Sequence, residues 1–169
     1  MTLRLGTIER FALELGKQHR GLRRVDVWAA GQWLTCDDNV AYAAQLQQSM
    51  RRDLARLGSL NDSPFPFPCL SPAAGHRQLL ADEGELREGW QFLEWGPTTD
   101  NVLAHLLPDG NHLAITVSFW REEHLRRHPE HAGAVFVTEI AAEELAGILQ
   151  GAIAALVRGL APAEPDVAE

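Results

Sequence analysis

The sequence predicts an α+β fold: a mostly antiparallel sheet of five to seven strands with two main helices packed on one face. Three observations predict it. Residues 90–120 alternate apolar and polar side chains at period two and are cut by two turn signals. Residues 39–57 and 141–160 repeat apolar side chains every three or four positions, the helical spacing. A chain of 169 residues, 46% of them hydrophobic, can bury a core without disulfide or metal staples. One domain over residues 1–160 is expected, with an acidic, proline-containing tail over 161–169.

In chain order, residues 8–15 read as a first strand, with a short helix as the alternative, and residues 16–21, bracketed by Gly16 and Gly21, as a turn. Val25, Val27 and Ala29 then alternate with Asp26 and Trp28, and Ala30-Gly31 turns the chain into a short second strand over 32–35. That hairpin makes Trp28 and Trp33 cross-strand neighbours, a pairing worth roughly 0.2 to 1 kcal/mol, so neither needs a ligand to explain it. Asp37, Asp38 and Asn39 precede an amphipathic helix carrying Val40, Ala43, Leu46, Met50, Leu54 and Leu57 on one stripe, with Gly58 as its stop. Capping explains the two aspartates better than catalysis, because no partner histidine or carboxylate can be assigned to them from spacing.

Residues 59–72 hold Pro64, Pro66, Pro68 and Pro72 around Phe65 and Phe67, which excludes a regular helix or a central strand. A loop whose phenylalanines complete the core is expected, then a short helix over 73–82 and a polar approach over 83–89. Residues 90–95 form a central strand with two apolar faces, stopped by Gly96-Pro97. Thr98, Thr99, Asp100 and Asn101 make a turn of short side chains that bond their own backbone. Strands over 102–107 and 112–120 follow, joined at Pro108-Asp109-Gly110, with Leu113, Ile115, Val117 and Phe119 on the core face.

After Trp120 the chain reads REEHLRRHPEH. His124 and His128, four apart, are the weak metal candidates. The glutamates precede the first histidine, and Pro129 breaks a helix before His131, so a charged surface loop is the better reading and no metal or cofactor is expected. His105 and His112 cannot be converged with them from alternation. Residues 134–140 form a strand. The helix over 141–160 carries Leu145, Ile148, Leu149, Ala152, Leu156 and Leu160 on one stripe, with Glu143 and Glu144 in its first turn and Arg158 in its last, as the helix dipole favours.

The net charge of −8 and pI near 5.3 argue against a nucleic-acid partner and favour either plain solubility or a basic partner. Lys17 is the only lysine and alanine is abundant, a codon composition typical of GC-rich genomes. Cys36 and Cys69 form no C-x-x-C pair and are expected as free thiols. No leader pattern and no run of 18 apolar residues is visible, so a cytoplasmic protein without membrane contact is expected. No phosphate-binding glycine loop, dinucleotide fingerprint, nucleophile elbow or kinase set occurs.

The segments WLTCDDNVAY, LEWGPTTDNVLAHLLPDG and VSFWREEH resemble a family of small bacterial proteins of the immunity type, from polymorphic or contact-dependent toxin systems. The resemblance implies a non-enzymatic cytoplasmic protein that binds a cognate toxin domain and neutralises it, and an acidic surface would speed capture of a basic toxin. The binding candidates are Asp37, Asp38, Trp95, Asp100, Asn101, His105 and Trp120. A small-ligand binder or enzyme would instead use a pocket between the sheet and residues 65–69, where Trp95, Asp100, Asn101 and His105 meet beside Gly96-Pro97. A structural subunit would assemble as a homodimer through an apolar patch or sheet edge.

Overall fold

The computed structural model describes residues 2–62, 64–82 and 85–160. The strands β1 (Leu3–Gly6), β2 (Phe11–His19), β3 (Leu22–Ala29), β4 (Gln32–Trp33) and β5 (Val40–Tyr42) form one antiparallel sheet, in the order β1-β2-β3-β4 with β5 also paired to β3. A second antiparallel sheet has the order β6 (Gln91–Phe92), β7 (Val102–Asp109), β8 (His112–Phe119) and β9 (Phe136–Ile140). The helices are α1 (Ala43–Ser59), α2 (Pro72–Ala81), α3 (Glu122–Arg127) and α4 (Ala142–Leu160). This overturns the single sheet with two main helices on one face. The described residues form an α+β fold with two sheets of five and four strands, and the helices are distributed between them.

Helices α1 and α4 lie side by side, and α4 runs across β1 and β2. Helix α2 instead covers β7, β8 and β9. Because the second sheet is covered on that side too, β8 is buried on both faces from Leu113 to Phe119, and the face opposite Ile115 carries Thr116 and Ser118 against α2. A single apolar cluster joins both sheets, with Phe11 of β2 and Phe92 of β6 meeting at 5.7 Å between ring centroids.

Local chemistry explains the corrected boundaries. Val40, placed on the helical stripe by its spacing, belongs to β5, where Val40 faces Arg24 and Tyr42 faces Leu22. Helix α1 therefore begins at Ala43, far from Asp37 and Asp38 as caps; its N-cap Tyr42 makes no side-chain capping bond. Strand β2 runs on through the expected turn to His19, and the reversal comes at Arg20-Gly21. The strand expected over 90–95 shrinks to Gln91–Phe92 and lies at the edge of its sheet. Leu93 breaks it with φ = 63°, an outlier for a bulky side chain, held by Asp53 accepting its N–H at 3.2 Å and Thr99 donating to its carbonyl at 2.6 Å.

Strand β7 continues through Pro108 to Asp109, and Gly110 (φ 58°) and Asn111 alone form the turn between the paired Asp109 and His112. Strand β6 covers only Ala104 and His105 of β7, so Pro108 occupies a free edge, where proline is tolerated. The Trp28 and Trp33 rings stack across β3 and β4 at 5.8 Å and 16°. Phe65 enters the core edge-on to Trp90 at 5.0 Å, as a loop phenylalanine completing the core would. The acidic tail expected over 161–169 lies outside the described residues. Among the described residues no helix is long and apolar enough to cross a membrane.

Candidate functional site

The loop after β4 is shaped by Asp26, a buried carboxylate on β3. Asp26 accepts from Asn39 Nδ2 at 2.8 Å and from Trp33 Nε1 at 3.2 Å, and pairs with Arg24 at 2.9 Å. The Leu34 and Val27 backbones bond at 2.8 Å, and Thr35 Oγ1 accepts the Val27 N–H at 3.1 Å. These bonds leave Cys36 and Asp37 at the tip, against the end of the second sheet where β7 starts and β8 stops.

Asn101, buried at the start of β7, donates from Nδ2 to Leu34 O at 3.0 Å and to Asp37 Oδ2 at 2.8 Å. It therefore ties the loop of one sheet to a strand of the other. From the far side, α3 presents His124, 1% exposed, whose Nδ1 lies 2.9 Å from Asp37 Oδ2 and 3.8 Å from Cys36 Sγ. Arg127, one turn on, donates to Asp37 Oδ1 at 2.6 Å. The His124 ring stacks on Phe119 at 4.0 Å and 6°, which fixes its plane. Its other nitrogen, Nε2, lies 2.9 Å from His131 Nδ1.

Burial pushes the Asp37 carboxyl up, yet the bonds from Asn101 and His124 and the charges of His124 and Arg127 outweigh it and hold its pKa below the ordinary carboxylate range. Burial, followed by the Asp37 charge, raises the Cys36 thiol. This is the wrong direction for a nucleophile, since the thiolate is the reactive form. The geometry agrees: Cys36 and Asp37 approach the same nitrogen of His124, whereas a base relay places nucleophile and carboxylate on opposite nitrogens. Sulfur, carboxylate and imidazole converging on one point form a set that suits a metal ion. Their ligand atoms all lie within 4.8 Å of one another.

The candidates named from the sequence divide sharply. Asp37, Asn101 and His124 come together, and Asp37 binds side chains in place of a helix end. Asp38 is exposed and accepts the Val40 N–H at 3.0 Å. Trp95 is buried away from solvent, its indole donating to Asp53 at 2.7 Å. His105, fully buried under α2, faces His76 at 2.9 Å between their Nδ1 atoms. His128 lies beside His124, with 4.8 Å between ring centroids, but turns its Nδ1 toward Glu130 at 3.4 Å. The expected surface loop over 121–131 is in fact α3 followed by a 3-10 turn, Pro129–His131, and that turn folds His131 back onto His124. From the sequence Cys36 reads as a free thiol, Phe119 as a core residue and His131 as cut off by Pro129, so none of the three is expected at a site; the signal available is the run Cys36-Asp37-Asp38 directly after a predicted strand.

A separate cavity of about 280 Å³ does open beside Gly96, lined by Glu94, Asp100 and Trp120 among others. Trp95, Asn101 and His105 do not line it, and Phe65 lies by a different depression with Leu107 and Pro108. Trp120 is 52% exposed, and its indole N–H is fixed on the Asp100 carbonyl at 2.8 Å. Arg121 pairs with the Asp100 carboxylate. No family model, no curated protein and no solved structure matches this chain.

Proposed function

We infer that the protein is a non-enzymatic, cytoplasmic binding protein of the immunity type that captures a basic toxin domain through the surface around Trp120. The observation that carries this reading is Trp120 itself, a large aromatic side chain held exposed and in one orientation by its bond to Asp100. Solvent-facing indoles that are ordered before contact lose little entropy on binding, and tryptophan is enriched among the residues that dominate interface energies. Glu94, exposed on the rim of the same cavity, and the net charge of −8 supply attraction for a cationic surface. The resemblance of the segments around Asp37, Asn101 and Trp120 to immunity proteins points the same way. The raised Cys36 thiol argues against a cysteine hydrolase at the neighbouring cluster.

The test is a low-salt affinity capture from the native host, with the wild-type protein, Trp120→Ala and Glu94→Lys run in parallel. The expected result is one stoichiometric basic protein, released by salt, strongly depleted with Trp120→Ala and slower to bind Glu94→Lys. Its toxicity on expression should be relieved by co-expressing the wild type. A captured set that is identical for wild type and Trp120→Ala would overturn the reading.

A further inference from the structure

We propose that Cys36, Asp37 and His124 form a binding site for a single divalent zinc-type ion, which fastens the loop after β4 to α3. Three different ligand chemistries from two distant parts of the chain come within 4.8 Å of one another: Sγ of Cys36, Oδ2 of Asp37 and Nδ1 of His124. Zinc binds such donors at about 2.3 Å for sulfur and about 2.0 to 2.2 Å for nitrogen and oxygen. Donors on a shared tetrahedron then sit somewhat over 3 Å apart. The 3.8 Å from Cys36 Sγ to His124 Nδ1 already fits. The 2.9 Å from Asp37 Oδ2 to His124 Nδ1 opens slightly as a shared ion replaces the hydrogen bond, and the set, spread over no more than 4.8 Å, draws in around it.

The surroundings match what a metal ligand requires. A ligating histidine keeps its other ring nitrogen protonated and donates it to an acceptor that fixes the ring. Here His124 Nε2 lies 2.9 Å from His131 Nδ1, and the ring is clamped flat on Phe119 at 4.0 Å. The second oxygen of Asp37 is occupied by Arg127 at 2.6 Å, and Asn101 orients the first at 2.8 Å. On binding, the Cys36 thiol proton leaves to solvent, and the His124 ring proton resides on Nε2, donated to His131. Thiolate, carboxylate and a dication then sum to zero charge. Copper(I) favours softer, sulfur-rich sets and magnesium or calcium all-oxygen ones, so one thiolate, one imidazole and one carboxylate suit zinc best.

The experiment uses the full chain, reduced, stripped with a chelator and titrated with cobalt(II) as the spectroscopic stand-in for zinc. Expected are one equivalent bound, a near-ultraviolet sulfur-to-cobalt charge-transfer band, intense tetrahedral visible bands and displacement by one equivalent of zinc, with a rise in melting temperature. Cys36→Ser should abolish the charge-transfer band while keeping the native far-ultraviolet circular dichroism. His131→Ala should keep the band and weaken affinity about 10- to 100-fold, as loss of a metal ligand's hydrogen-bond partner does. His128→Ala should change neither. The proposal is overturned if the wild type shows no charge-transfer band at stoichiometric cobalt. It is equally overturned if binding survives Cys36→Ser and is lost in His128→Ala, which would put the ion on the exposed imidazoles.

Discussion

The indole N–H of Trp95 donates to the Asp53 carboxylate at 2.7 Å, and this bond ties α1 to the chain entering the second sheet. The same Asp53 oxygen accepts the Leu93 N–H at 3.2 Å, so one buried carboxylate both anchors a tryptophan and holds the left-handed Leu93 in place. Burial raises the Asp53 pKa from 3.8 to about 6, against the opposing bonds from Trp95 and Leu93 and the charge of Arg56. Between these two values the folded chain holds a proton that the unfolded chain has released. The contribution to stability is therefore complete below the ordinary value and is lost as pH rises through about 6.

Asp53→Asn keeps an acceptor for Trp95 and removes the titration. The stability of the wild type relative to this variant should increase by about 1.4 kcal/mol per pH unit on acidification from pH about 6 toward 4. Denaturant titrations of both proteins at a series of pH values check it; parallel profiles would contradict the assignment.

His76 and His105 act with the opposite sign. Both are fully buried between α2 and the second sheet, and His76 bonds Thr116 Oγ1 at 2.8 Å and Ser118 Oγ at 2.9 Å. Burial lowers His76 to about 4 and His105 to about 3, from 6.5. The unfolded chain takes up protons first, so the stability these neutral rings contribute is present above pH 6.5 and is lost as pH falls toward the depressed values. His105 Nε2 also has no partner among the described residues. His105→Leu should flatten the acid limb of the stability profile, with one fewer proton taken up on unfolding near pH 5, measurable from the pH dependence of the denaturation midpoint.

Individual hairpins were legible because their signals are local. The stacked pair Trp28 and Trp33 and the antiparallel run of β7 and β8 follow from period-two alternation around a turn. Division into two sheets was not, since alternation in Val25 to Ala29 and in Leu113 to Phe119 looks the same whether the strands share a sheet or not. Val40 misled because one residue can be in phase with a helix and still pair with Arg24. At the site, His124 was visible only beside His128, four residues away. Its partners Cys36 and Asp37 are 88 and 87 residues distant, and no local spacing encodes that contact. Pro129 speaks in the sequence against His131 reaching His124, because proline ends a helix, yet that proline starts the 3-10 turn that brings His131 back.

Truncations in the shared core test the packing of both sheets. Ile115 on β8 and Leu149 on α4 are each 0% exposed. Ile115→Ala and Leu149→Ala should each cost about 2 to 5 kcal/mol, the lost apolar burial plus the cavity left behind. Equilibrium unfolding in urea measures this, and a neutral result at both positions would contradict one continuous core.

Asn101 is the residue whose loss should most directly separate the loop after β4 from the second sheet. Its side chain is 2% exposed and supplies two bonds, to the Leu34 carbonyl and to Asp37. Asn101→Ala leaves that carbonyl without its side-chain donor and removes one of the bonds that hold Asp37. A buried acceptor left unpaired costs about 1 to 3 kcal/mol. Asn101→Asp should cost more at neutral pH, because it keeps the shape but replaces the donor with a second carboxylate facing Asp37. The loop should also loosen before the rest of the molecule does. Hydrogen exchange should therefore speed up at the Val27 and Leu34 amides, which bond within this loop, while the Ile115 amide keeps its protection. Equal acceleration at all three amides would mean that Asn101 supports the whole core instead of this one junction.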